Sequence, residues 1–152
     1  MRGDTIMKNG NMDKSIFYLL SFTWGLPLTL VGLIVGIGLM IAGKKPERWG
    51  ACWYFKVGKN WGGVNFGLIF LTDDTPSEHR KNHEHGHAIQ NCYFGLLMPF
   101  IVCIPSAARY WYFKLKYVRK GLTPPTAYDS AWFEGDASKL GTIYAAKWNK
   151  EN

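Results

Sequence analysis

His83, Glu84 and His87 stand within His-Glu-His-Gly-His, residues 83–87, a match to His-Glu-x-x-His. On a helix, residues four apart share a face, so His83 and His87 can offer their imidazoles to one metal ion. Glu84 flanks that face, within reach of a water beside the metal but not required as a ligand. Two neutral imidazoles, a neighbouring carboxylate and an open coordination position describe a hydrolytic zinc site. The competing reading is a His-rich, solvated helix start. The flanking residues supply the helix that the chemistry needs. Thr75 reads as N-cap, Pro76 as the first helical residue and Glu78 as the closing partner of a capping box, with the helix running through to Gln90.

Hydrolytic zinc takes three protein ligands, which leaves one to find. His79 shares the face, but it lies about 12 Å from His87 along a straight helix, too far for one ion. His79 is therefore expected as a polar neighbour at the site entrance. His85 is rotated by about 200° from His83 and points away. Glu134 is the better candidate. It is the only acid among Ala131, Trp132 and Phe133, and a carboxylate on an apolar helix face is costly unless paired or metal-bound. Its competing reading is a surface glutamate on an amphipathic helix.

The elements that must position these residues lie in a chain of 152 residues, enough for one modest core. Aromatic residues make up 16% and charged residues only 19%. That is poor in charge for a soluble domain and implies a lipid-facing surface. The net charge is +7, but Lys and Arg mostly flank apolar runs, as at Lys44, Lys45 and Arg48, and no nucleic-acid motif is present. A lipid bilayer is thus the expected partner, and nucleic acid is not. Cys52, Cys92 and Cys103 share no ligand spacing and read as reduced packing residues.

Residues 1–15 read as a polar N-terminal tail. Residues 16–43 carry no charge and are predicted as a transmembrane helix, with a kink near Pro27. Residues 44–60 are basic and aromatic and read as an interfacial segment, followed by a short strand over 64–71. A strongly apolar stretch at 94–104, interrupted by Gly95 and Pro99, is too short for a span and is expected as a partly inserted helix. Arg109 to Lys120 is an aromatic and basic helix, residues 121–126 are a loop, and Asp129 is expected to cap a last helix ending near Trp148. Residues 44–152 thus form a mainly α, metal-binding domain with a short β-element, anchored in a membrane.

With these pieces in order, the chain resembles the gluzincin class of zinc metallopeptidases. It is more closely similar to small bacterial membrane proteins that share a strand, a His-Glu-x-Gly-His helix, Ile/Leu-Pro-Ser and Glu-x-x-Ala. Those pieces are here Gly63 to Gly67, His83 to Gln90, Ile104-Pro105-Ser106, and Glu134 to Ala137 with Leu140-Gly141. The resemblance implies a minimal zincin-like fold, Zn2+ held by His83, His87 and Glu134, Glu84 as general base, and a peptide or protein substrate cleaved by a zinc-activated water. One departure stands out. Where gluzincins often carry an aspartate four residues after the ligand glutamate, to hold a ligand histidine, this chain has Ser138, leaving Asp136 or Asp129 to serve instead. An oxyanion donor could come from Tyr128 or Tyr144, for which the competing reading is packing as ordinary aromatics. The alternatives are a non-catalytic zinc-binding membrane protein with a structural or interaction role, and a membrane-perturbing protein whose histidines are incidental. Arg2, Lys8 and Lys14 precede the first apolar run, against Lys44, Lys45, Arg48, Lys56 and Lys59 after it. The bias places the site on the cytoplasmic side of a bacterial inner membrane. Nothing in the sequence specifies an oligomeric state.

Overall fold

A computed structural model describes residues 10–151. The elements are α1 (Lys14–Ser21), α2 (Leu26–Ile41), β1 (Glu47–Trp49), β2 (Cys52–Lys56), β3 (Gly63–Phe66), β4 (Ile69–Thr72), α3 (Glu78–Phe94), α4 (Ile104–Lys116) and α5 (Trp132–Asn149). Short turns of tighter or wider helix occupy Gly95–Leu97, Pro99–Cys103, Val118–Lys120 and Tyr128–Ser130. The chain is mainly helical with a small sheet, as the sequence indicates, but the sheet is larger than the single strand expected.

Its four strands run in the order β1-β2-β4-β3. The segment expected at an interface, 44–60, holds β1 and β2, an antiparallel hairpin turning at Gly50 and Ala51. The strand expected over 64–71 is itself a hairpin. β3 and β4 pair antiparallel, with Phe66 opposite Ile69, and the turn passes through Gly67 at φ +68°. Asn65 pins that turn: its Oδ1 accepts from Gly67 N (2.7 Å), and its Nδ2 donates to Gly67 O (3.1 Å) and to Glu84 O (3.0 Å). β4 then pairs parallel with β2, which leaves β3 at the edge.

Both faces of the inner strands β2 and β4 are covered, which explains why they read as apolar runs rather than alternating ones. Tyr54, Leu68 and Phe70 join Ala88, Ile89 and Cys92 of α3 and Leu140, Tyr144 and Trp148 of α5 in the main core. Phe55, Ile69 and Leu71 pack on Val35 and Leu39 of α2. Helices α3 and α5 cross with their backbones nearly touching. A Cβ on Gly86 would run into the Ala137 carbonyl, and one on Gly141 into the Asn82 carbonyl. The glycine inside the His-Glu-x-Gly-His motif is therefore a contact for α5.

Several boundaries differ from expectation. The uncharged run 16–43 is two helices, α1 and α2, bent by 90°, and no single helix among the described residues is long and apolar enough to cross a bilayer. The break sits at Gly25, whose backbone abuts Asn91, and Pro27 opens the second helix instead of kinking one long helix. Residues 10–13 of the expected polar tail dock on α5. Met12 is buried, its N–H donates to Tyr144 Oη (3.2 Å), and Lys147 Nζ donates to the Gly10 and Met12 carbonyls. Residues 1–9 lie outside the described residues.

The cap of α3 is Ser77, not Thr75. Its Oγ accepts from Arg80 N (3.2 Å), and the helix runs to Phe94, past Gln90. Over 94–104 the chain turns through Gly95 (φ +50°), packed on the Trp24 indole, and changes direction by 117° before α4. Asp129 does not cap α5. That helix opens at Trp132 behind Ala131, and Asp129 sits in the preceding turn.

Candidate metal centre

The crossing of α3 and α5 brings His83, His87 and Glu134 together. Residue spacing on α3 stacks the two imidazoles edge to face, with ring centres 4.7 Å apart. Glu134, in the first turn of α5, projects between them and is fully buried. Glu134 Oε2 lies 3.0 Å from His83 Nε2 and 3.4 Å from His87 Nε2, and the two Nε2 atoms are 3.2 Å apart. Tetrahedral ligands on bonds of about 2.0–2.1 Å are separated by about 3.3 Å. The three atoms thus already stand at the mutual spacing of one coordination sphere, and among the described residues they form the one cluster with that arrangement.

The hydrogen bonds behind them fix which ring nitrogens are free. Gln90 Nε2 donates to the Phe133 carbonyl (2.8 Å), so Gln90 Oε1 must accept from His87 Nδ1 (2.8 Å). Ser138 Oγ donates to Asp129 Oδ2 (2.5 Å), so it must accept from His83 Nδ1 (2.8 Å). Both imidazoles, when neutral, carry their proton on Nδ1 and aim the Nε2 lone pair at the other ring and at a carboxylate oxygen. Three electron-rich atoms converging in a buried space demand a cation. A proton meets that demand in part. Burial alone lowers the His83 pKa, but Glu134, Glu84 and Asp129 outweigh it and raise it. Burial alone raises that of Glu134, but the bonds from His83 and His87 outweigh it and hold the carboxyl well below the usual range. One proton cannot satisfy three acceptors. A metal ion could, held by two imidazoles and one carboxylate.

Glu84 lies beside this cluster without joining it. Its Oε2 is buried and lacks a hydrogen-bond partner among the described residues, and its other oxygen lies against Gly63 of β3, where a Cβ would collide with it. Burial raises its pKa above the ordinary carboxylate range, against the opposing pull of His83 and His87. The carboxylate opens onto a cleft of about 780 Å³. One wall is the free edge of β3; the other carries Met98, Val102, Ser106 and Tyr110.

The remaining sequence candidates fall on either side of this boundary. His79 stands at the cleft mouth, 3.3 Å from Asp129 Oδ2, as a neighbour rather than a third imidazole in the cluster. His85 faces away into the core, its Nε2 accepting from Ala51 N (3.2 Å), and burial pushes its pKa down to about 3. Tyr128 lines the cleft, whereas Tyr144 is buried under the N-terminal segment and takes no part. Asp136 has no place in the cluster. Asp129 supplies the carboxylate behind His83, with Ser138 as the link. Gln90 and Gly63 fall within the stretches His83 to Gln90 and Gly63 to Gly67 named above, but neither is assigned a role at the site there. Gln90 stands three residues after His87, a spacing that marks same-face neighbours on a helix. Nothing in the position of Gly63 along the chain marks its contact with Glu84. No family model, curated protein or solved structure matches this chain.

Proposed function

We propose that the protein is a zinc-dependent peptidase. The reading rests on one observation above the others: two Nε2 lone pairs, each aimed by a hydrogen bond on the far side of its ring, converge with the buried Glu134 carboxylate at coordination spacing, beside a second buried carboxylate. His83, His87 and Glu134 hold the ion. The ion, when bound, supplies Lewis acidity toward a carbonyl and acidifies water. Glu84 Oε2 accepts the proton of the attacking water and returns it to the leaving amine, and its raised pKa suits a group that must do both. The free edge of β3 offers backbone groups to an extended peptide, a recognition mode that explains a cleft walled by a strand.

Zinc titration and elemental analysis test the ligand set. About one ion per chain is expected for the wild type, with loss of the ion in His83→Ala, His87→Ala and Glu134→Gln. No transition metal in zinc-reconstituted wild type would sink the proposal. Glu84→Gln is expected to keep the ion and to lose cleavage of a mixed peptide library by several orders of magnitude. A wild type that binds zinc and cleaves nothing would favour the non-catalytic zinc-binding alternative.

A further inference from the structure

The surface of this molecule is divided by charge. Between Asp13 and Glu47 the chain has no acidic residue, and between Glu84 and Asp129 it has none either. The same two stretches hold Lys14, Lys44 and Lys45, and Arg109, Lys114, Lys116, Arg119 and Lys120. They also hold the bare apolar faces. On α2, Leu30, Ile34, Ile37 and Ile41 repeat at helical spacing and are exposed, Ile34 by 69% and Ile41 by 84%. Beyond α3, Leu97, Phe100, Ile104, Leu115 and Val118 are likewise exposed. The two faces meet, because α2 packs against the turn Gly95–Leu97 and the Trp24 indole donates to the Tyr93 carbonyl (3.3 Å). Apolar area of this extent, rimmed by cations and free of anions, is complementary to an anionic lipid surface.

The structure also says how such a surface can engage lipid. Helix α2 is 16 residues, about 24 Å long, short of a hydrocarbon core of about 30 Å. Its inner face is committed: Gly32 abuts the Phe66 carbonyl, and a Cβ on Gly36 would lie 3.4 Å from the Phe55 ring. A helix crossing the bilayer would drag the attached sheet in with it. Among the described residues that sheet is open, and β3 and β1 are edge strands whose outward backbone groups hydrocarbon cannot satisfy. The outer face of α2 can enter lipid only if the helix lies along the surface.

We propose that the protein is monotopic. The outer faces of α2 and of residues 96–118 lie in one leaflet of an anionic membrane, and neither segment crosses it. Helix α4 has a double role in this arrangement. It presents Ile104 and Leu115 outward, while Ser106, Tyr110 and Lys114 wall the cleft, so the cleft lies beside the lipid surface.

Side-specific labelling tests the proposal without requiring metal or turnover, so its outcome is independent of the peptidase reading. One cysteine at a time is added, Thr23→Cys or Lys44→Cys at the two ends of α2, on a Cys103→Ala background in which Cys52 and Cys92 stay buried. Both are expected to react from the same side of sealed membrane vesicles. Reaction from opposite sides would mean that α2 spans and would overturn the proposal. Purified protein is expected to bind phosphatidylcholine vesicles about tenfold more tightly when phosphatidylglycerol is included. The double variant Ile34→Lys/Ile37→Lys is expected to lose at least about tenfold in vesicle binding with its zinc stoichiometry unchanged. Failure of the wild type to bind either vesicle would overturn the proposal. If that wild type is instead a dimer which the double variant splits, a second copy of the chain covers the face.

Discussion

Residue identity matters most behind the three converging atoms, not at them. His83 and His87 face the cluster through Nε2 only because Ser138 and Gln90 claim the Nδ1 protons, and each of those is held in turn by Asp129 and by the Phe133 carbonyl. Ser138 looked like a weak substitute for an aspartate when read along one helix. In three dimensions it extends the reach of a carboxylate from the preceding turn. Ser138→Ala is expected to weaken zinc binding by about 10–100-fold, a typical cost for losing a group that orients a ligand. Asp129→Asn should weaken it less, and the double variant should bind no worse than Ser138→Ala, since Asp129 acts on His83 through Ser138. Competition titration against a chelator measures all three. Zinc affinity within twofold of wild type in Ser138→Ala would remove the relay from the account.

At the scale of elements, two glycines decide whether the site exists and a third shapes it. Gly86 and Gly141 let α3 and α5 approach until side chains of the first can share an ion with Glu134 of the second. Gly86→Ala is expected to cost about 3 kcal/mol, the upper end for overpacking, and to abolish zinc binding, as read by urea unfolding and metal titration. Gly63 behaves differently. An added Cβ there meets the end of a flexible side chain, the Glu84 carboxylate, rather than backbone. Gly63→Ala is expected to retain the fold and the ion while reducing peptide cleavage, because Glu84 alone is displaced. Loss of zinc in that variant would show that β3 supports the ligands as well. The aromatic residues Trp53, Tyr54 and Phe55 suited an interfacial segment and a strand equally. Pairing with β4 is what makes them a strand, and no local pattern reveals a partner that lies beyond the next turn.

The whole molecule closes around His85 and the N-terminal segment. His85 is packed against Phe17 and Trp148 and receives the Ala51 N–H, so it must fold neutral. Its folded pKa is about 3 against an ordinary 6.5, so the unfolded chain binds the extra proton between those values. Stability from this group is therefore intact above about pH 6.5 and declines as pH falls toward 3, by up to about 1.4 kcal/mol per pH unit. In His85→Gln, whose side chain can still accept from Ala51, that part of the acid sensitivity should disappear. Urea midpoints between pH 7 and pH 4 would show it, and identical slopes in both proteins would contradict the argument. Met12 is 1% exposed beneath Tyr144 and Trp148. Met12→Ala is expected to cost about 2–4 kcal/mol in the same assay, where a free tail would cost nothing.

The sequence by itself determined what depends on neighbours along the chain. The spacing of His83 and His87 with Glu84 beside them needs only a helix, and the residues after Pro76 form one. The isolated Glu134 was legible because an acid among apolar residues is costly unless it has a partner. The uncharged run 16–43 read as a transmembrane helix and the stretch 94–104 as a partly inserted one, and both carry exposed apolar side chains. Tertiary structure decided everything that needed a second element. It brought α5 onto α3, linked Asp129 to His83 through Ser138, joined four strands into a sheet and seated Met12 in the core. It also split the run 16–43, because Gly25 is held against Asn91. The division has one cause. Helical periodicity is set by neighbours a turn away, whereas close approach, strand pairing and the direction in which an apolar face points are set by contacts between residues far apart in the chain.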